Sequence, residues 1–235
     1  MTTREILEQL KSLGKESIKS VLMKHGAQEP FYGVKVEDLK VIQKKIKKNH
    51  NLSLELYDTG ISDAMYLAGL IADESKMTKE QLQKWANKAY WSMLSEYTVP
   101  WVASESQHGW ELALEWINSK EEKITSSGWA TLGCLVALKP DIELNINEIK
   151  DLLSRVQKEI HSAPNRVKYT MNGFVISVGS YVAELTEEAI KLGFSIGSVT
   201  VDMNGTSCKV PFCPDYIKKV KQKGTIGKKR KTVRC

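Results

Sequence analysis

The chain has 235 residues, of which 42% are hydrophobic and 26% are charged, and it carries a formal net charge of +6. This composition is typical of a soluble globular protein, and no apolar run approaches the roughly 18 residues that span a bilayer. The N-terminal stretch is charged and amphipathic, so we expect no signal peptide, no membrane association and a cytoplasmic location.

Apolar residues recur at helical spacing through the first half of the chain. Residues 3–25 carry two apolar stripes around Gly14, and residues 36–48 carry a third. Residues 61–73 are apolar on nearly every side, which predicts a buried helix. The helix at 36–48 also has a lysine face that serves either solubility or phosphate contact; it consists of Lys40, Lys44, Lys45, Lys47 and Lys48.

The second half continues the same pattern. Thr78 and Gln81 have the spacing of a capping box, and Pro100 is expected to break the chain. Residues 198–203 alternate and are the one possible strand. Further helices are predicted within residues 108–119, 125–138, 146–160, 165–181 and 184–197.

About ten to twelve helices with short connections, and no convincing strand, predict an all-α protein. Helices that each need a neighbour to cover an apolar face favour a right-handed α-solenoid of HEAT-like antiparallel helix pairs. A compact helical bundle is the alternative, because no exact sequence repeat is visible.

All six tryptophans lie within 45 residues in the middle of the chain, at Trp85, Trp91, Trp101, Trp110, Trp116 and Trp129. Most tryptophans in proteins pack in the core, and we expect packing to be the main role of these too. Their clustering nevertheless marks this stretch as the centre of the fold and of any active site.

The positive charge is concentrated at the C-terminus. The last 18 residues hold seven Lys, two Arg and no acid, a charge of +9, so the remaining 217 residues carry −3. We therefore divide the chain into a helical domain, residues 1–217, and a basic tail, residues 218–235. Such a tail is usually solvated, and it can also bind DNA, RNA or an anionic surface.

The four cysteines are too few for a disulfide framework in a chain of this length. Cys208 and Cys213 are five positions apart with no pair of histidines near them, so we expect reduced thiols, with no metal and no cofactor. The other two cysteines are Cys134 and Cys235.

Several segments resemble the bacterial AlkD-type DNA alkylation repair family, in an order that covers nearly the whole chain. They include YGVKVEDLKVIQKK, WELALEWINSKEEKITSSGWATL, NRVKYTMNGFVISVGSY and the GTSCKVP stretch near the C-terminus. The resemblance implies a concave solenoid that holds duplex DNA as a monomer. It also implies a glycosylase that excises cationic 3- and 7-alkylpurines without a metal.

The site of that family has a Trp, an Asp four residues later, an Arg on a later helix and another Trp. The resemblance places Trp91 at the first position but Ser95 at the Asp, and a hydroxyl cannot supply the field of a carboxylate. It places Ser127 or Gly128 at the Arg and Asn172 at the second Trp. Three of the four positions therefore depart from the pattern.

Glu96 is the carboxylate next to Ser95, the position at which the family has Asp. One residue along a helix is a rotation of about 100°, so we expect Glu96 to point elsewhere unless Pro100 ends the helix early. The catalytic candidates are thus Trp91, Ser95 and Glu96. Glu105 and Asp202 are carboxylates that the sequence does not place.

The expected DNA contacts are basic residues of the 165–181 helix and of the tail, because Lys and Arg neutralise phosphates. They are Arg166, Lys168, Lys218, Lys219, Lys221, Lys228, Lys229, Arg230 and Lys231. Three functions remain open at this point: a DNA glycosylase with an altered site, a non-catalytic solenoid that recognises DNA structure or damage, and a protein–protein scaffold.

Overall fold

The computed structural model describes residues 1–234, and these contain thirteen α-helices and no β-strand. The prediction of an all-α protein is therefore confirmed. The helices are α1 (Thr3–Leu13), α2 (Glu16–Lys24), α3 (Val36–Ile46), α4 (His50–Asp58), α5 (Ser62–Ile71), α6 (Lys79–Lys88), α7 (Val99–Glu105), α8 (Gly109–Trp116), α9 (Glu122–Leu138), α10 (Ile146–Glu159), α11 (Asn165–Tyr181), α12 (Thr186–Ile196) and α13 (Cys213–Gln222). Cys235 lies outside the described residues.

Local signals in the sequence fix several helix boundaries. Thr78 and Gln81 form the predicted capping box at the start of α6, and Thr2 and Glu5 form another at α1. Gly14 separates α1 from α2, and a Cβ there would lie 2.5 Å from the Tyr32 carbonyl oxygen. All ten residues of α5 are buried, including Ser62 and Asp63, as its nearly all-round apolar sequence predicts.

Helices α5, α7, α9 and α11 form a central row, in which α9 packs against both α7 and α11. Other helices cover this row: α4 packs on α5, α8 on α9, and α12 and α13 on α11. Two apolar clusters run through these layers, and they contain five of the six tryptophans. The expectation that the tryptophans mainly pack is thus met.

In the described chain, no helix has the length and apolar character needed to cross a bilayer.

A wide helical turn precedes α7, and Pro100 does not break the chain as expected. Residues Leu94–Thr98 form a π-helical turn that continues directly into α7, with the Val99 amide donating to the Leu94 carbonyl. Pro100 has no N–H to donate, so it fits the first turn of α7. A π-turn contains one extra residue, so the side chains before α7 shift around the helix axis.

The segment 198–211 is a loop and contains no strand, so the possible strand at 198–203 is not present. Its tip is a tight turn in which Asn204 and Gly205 both have positive φ, 54° and 69°. Asn165 anchors the loop to α11: its Nδ2 donates to the Asp202 carbonyl at 2.9 Å, and the Asp202 amide donates to its Oδ1 at 2.7 Å.

The C-terminal strap, residues 224–234, runs along the ends of the central row. Gly224 and Gly227 have φ of 65° and 74°, which lets the chain turn back from α13. The strap donates hydrogen bonds to the C-terminal ends of α11, α9, α7 and α5 in turn. The bonds are Gly227 N to Ser180 O (2.9 Å), Arg230 N to Ala137 O (2.8 Å), Val233 N to Glu105 Oε1 (3.1 Å) and Arg234 Nη1 to Ala72 O (2.8 Å).

The last 18 residues therefore do not form one uniform element. Residue 217, the expected end of the helical domain, lies inside α13, and residues 218–222 complete that helix. The strap then packs along the central row. Because helix C-termini carry partial negative charge, lysines and arginines are favoured at these ends.

Candidate nucleic-acid interface

A cavity of about 770 Å³ lies between the π-turn, α7, α9, α11, α13 and the strap. Aromatic side chains form part of its walls together with small and aliphatic ones, and four basic side chains also line it. The aromatic residues at the cavity include Tyr97, Trp101, Tyr169, Tyr181 and Tyr216, and the basic ones are Lys223, Lys228, Lys229 and Arg230.

A buried ion pair lies beside these aromatic side chains. The Arg166 guanidinium donates from Nε to Glu96 Oε1 and from Nη2 to Oε2, both at 2.6 Å. The Glu96 side chain is only 2% exposed and that of Arg166 is 25% exposed. Arg166 also lies 4.5 Å from the centroid of the Tyr169 ring. Such a bidentate, stacked geometry is characteristic of Arg and is not available to Lys.

Burial dominates the electrostatics of this pair. Desolvation raises the pKa of Glu96, although the hydrogen bonds and charge of Arg166 oppose the rise. Burial likewise raises the pKa of the neighbouring Tyr97, with further increases from Tyr169 and Glu96. Since both Glu96 oxygens accept hydrogen bonds from Arg166, the carboxylate does not offer an unpaired oxygen to a ligand.

The three catalytic candidates do not form one site. Glu96 lines the cavity, whereas Ser95 is buried and its carbonyl accepts a hydrogen bond from Ser127 Oγ at 2.6 Å. Trp91 donates from Nε1 to Ser62 Oγ at 2.8 Å and lines a separate cavity next to α2 and α3. Glu96 therefore points away from Trp91 and Ser95, as the rotation along the helix predicts, and it lies at the cavity between the π-turn and α11.

The remaining positions assigned by resemblance have structural roles. A Cβ on Gly128 would lie 2.7 Å from the Ile117 backbone nitrogen, so no arginine fits there. Asn172 is buried and donates from Nδ2 to the Pro211 carbonyl at 2.9 Å, which fixes the end of the 198–211 loop. The arginine beside the carboxylate comes instead from the start of α11.

Three basic side chains at the cavity have no acidic partner among residues 1–234: Lys223, Lys228 and Arg230. Lys229 differs, since its Nζ donates to the Val136 carbonyl at 2.8 Å and pairs with Asp141 at 2.7 Å. The cavity rim is therefore net positive.

The other expected DNA contacts lie outside the cavity. Lys218, Lys219 and Lys221 are exposed on α13; Lys218 lies over the Phe194 ring, and Lys221 pairs with Glu187 at 2.5 Å. Lys168 is half-buried on α11, and Lys231 is exposed on the strap. In the described residues neither Lys168 nor Lys231 has an acidic partner.

Sequence reasoning missed two features of this face. The first is the aromatic wall, in which Tyr97 and Trp101 meet edge to face with ring centroids 6.1 Å apart; their spacing of four residues was the available signal. The second is the end of the strap, where Arg234 pairs with Glu74 at 2.6 Å and with Glu105 at 2.9 Å. Asp202, the other unplaced carboxylate, accepts the Asn204 amide within the loop.

A helical-repeat solenoid with an aromatic and basic cavity defines the class of protein, and comparison with known proteins gives the family. The sequence profile of the DNA alkylation repair enzyme family matches residues 6–203. The chain belongs to that family. Over 229 residues it is 33% identical to the uncharacterized protein Lin0241 of Listeria innocua serovar 6a and 31% identical to Lmo0209 of Listeria monocytogenes serovar 1/2a. Both matches cover 95% of this chain and 99% of the relative.

A solved structure extends the comparison. It has 36% sequence identity, and the match covers 100% of both chains with a TM-score of 0.92. It represents a new family of proteins related to the HEAT-like repeat DNA glycosylases, with affinity for branched DNA structures. The predicted HEAT-like solenoid is therefore confirmed.

Proposed function

We propose that this protein binds branched DNA through the cavity face of its solenoid, as a monomer that needs no cofactor. The observation that carries the proposal is the row of unpaired cations, Lys223, Lys228 and Arg230, beside exposed aromatic rings. The similarity over the full chain to a protein with affinity for branched DNA supports the same conclusion.

The chemistry of a branch point suits this face. Cations neutralise backbone phosphates and release counterions, whereas aromatic faces contact bases that are no longer stacked in a duplex. Lys168, Lys218, Lys219 and Lys231 extend the positive surface beyond the cavity, where the duplex arms of a junction would lie. Binding of this kind depends on shape and charge more than on sequence.

The test is a salt titration of four-way-junction binding with the double variant Lys228→Gln/Arg230→Gln. Each lost phosphate contact reduces the slope of log K against log salt by about 0.9, so we expect a slope shallower by about 2 and at least a tenfold loss of affinity at low salt. The matched control is Lys120→Gln/Lys158→Gln, which removes two exposed lysines away from the cavity. Equal effects of both variants would contradict the proposal.

A DNA glycosylase is the second candidate, favoured by the Glu96 carboxylate at the cavity. We expect no release of 7-methylguanine from alkylated duplex DNA, because Arg166 donates to both Glu96 oxygens and neutralises the charge that would stabilise a sugar cation. Base release by the wild type that is lost in Glu96→Gln would establish the glycosylase instead.

A further inference from the structure

The cavity at the centre of the proposed interface is too small for a DNA duplex. Its volume of about 770 Å³ is in the range of sites that enclose a small molecule. A duplex can therefore lie only across the mouth of the cavity, and the part of the DNA that enters it is a single nucleotide.

The walls suit a flat aromatic ligand. Tyr97 and Tyr216 belong to two different elements, both line the cavity, and the two residues are 39% and 48% exposed to solvent. Trp101 meets Tyr97 edge to face at the cavity, and the Arg166 guanidinium lies over the Tyr169 ring. Unstacked bases bind to such aromatic and guanidinium planes, with about 1–3 kcal/mol per base.

The rim suits a phosphate. Lys228 and Arg230 belong to a strap whose backbone is tied to α11 and α9 by the amides of Gly227 and Arg230. Lys229, between the two, is anchored to Val136 and Asp141. The two unpaired cations are thus carried on a fixed backbone, which reduces the entropy lost when they bind an anion.

The charge balance selects the kind of base. Glu96 is neutralised by Arg166, and within the described residues no other acidic side chain lines the cavity. The net positive surroundings therefore favour a neutral base with its phosphate and disfavour a cationic alkylated purine.

We propose that the cavity captures one unpaired, unmodified nucleotide at the branch point, with its base against Tyr97 and Tyr216 and its phosphate on Lys228 and Arg230. This inference rests on the proposed binding of branched DNA. Through this site the protein distinguishes a branch point that has an unpaired nucleotide from a continuous duplex, in which every base is stacked and paired.

The test uses a three-way junction with one unpaired 2-aminopurine at the branch, and the same junction with an abasic residue at that position. We expect the wild type to bind the abasic junction about 5- to 100-fold more weakly and to change the 2-aminopurine emission on binding. Tyr97→Leu and Tyr216→Leu should each reduce this difference. Phe194→Leu, an exposed aromatic residue outside the cavity, should retain it.

The outcomes separate the two proposals. Junction binding with equal affinity for the base and the abasic residue overturns the nucleotide site and leaves branched-DNA binding intact. A junction carrying unpaired 7-methylguanine that binds more tightly than one with unpaired guanine overturns the preference for a neutral base. Absence of binding to every junction overturns both.

Discussion

Glu96 is a carboxylate that the fold removes from water and then pairs with a single guanidinium. Its folded-state pKa is raised by burial above its ordinary value of 4.5, so the folded protein binds this proton more tightly than the unfolded chain does. At low pH, where Glu96 is protonated in both states, it does not destabilise the folded protein. Its unfavourable contribution grows as the pH rises from the unfolded-state pKa of 4.5 to the higher folded-state pKa, and is constant above that. Arg166 limits that penalty by stabilising the charged form.

Replacement of Arg166 by Met leaves the Glu96 carboxylate buried without its partner. Removal of one member of a buried pair typically costs about 3–5 kcal/mol, and we expect about 3 because Arg166 is partly exposed. The deficit should be largest at neutral pH and should shrink as the pH falls towards 4.5, because the raised folded-state pKa means that Glu96 is protonated before that pH is reached. Urea unfolding of Arg166→Met at several pH values measures this, with Lys168→Met as the control. A deficit that does not depend on pH would contradict the account of the pair.

At the scale of elements, the π-turn Leu94–Thr98 carries Glu96, the carboxylate that lines the cavity. The rotation of about 100° per residue predicted that Glu96 points away from Trp91 and Ser95, and the structure agrees, but the sequence did not predict the π-turn itself. Capping boxes and the buried α5 were predictable because they depend on neighbouring residues. The Glu96–Arg166 pair was not, since its members are 70 positions apart.

Close packing of α9 on α8 depends on the absence of a side chain at Gly128. A Cβ there would lie 2.7 Å from a backbone nitrogen that cannot rotate away, so we expect Gly128→Ala to destabilise the protein by about 2 kcal/mol. Gly173, in the middle of α11, has no atom within 4 Å of the same position. Gly173→Ala should therefore stabilise by about 0.5–1 kcal/mol. Thermal unfolding of the two variants checks both signs; destabilisation by both would refute the packing argument.

At the scale of the whole molecule, the strap joins the end of the chain to its first half. The sequence favoured a solvated or phosphate-binding tail, because local composition does not reveal acids more than 100 positions away. Glu74 and Glu105 pair with Arg234, whose side chain is only 8% exposed. Burial alone would raise the pKa of Glu74, but Lys48 and Arg234 outweigh it and lower the pKa.

We expect Arg234→Met to destabilise the protein by about 3 kcal/mol at neutral pH, because two partly buried carboxylates lose a shared cation. Glu74 has a lowered pKa, so the stability it provides is present above 4.5 and is lost as the pH falls through its folded-state pKa. The effect of the substitution should therefore decrease in acid. The control is Arg4→Met, whose ion pair is 88% exposed on the Arg side and should contribute under about 1 kcal/mol. Similar losses in both variants would show that the strap is not held by Arg234.

The most direct measurement is a competition titration in which a labelled four-way junction is displaced by unlabelled junction or by unlabelled duplex of the same length and sequence. The proposed function predicts that unlabelled junction competes at a concentration at least tenfold lower than duplex, at a salt concentration where both bind. Equal competition by junction and duplex would contradict the central claim, because the cavity face would then recognise phosphate charge alone.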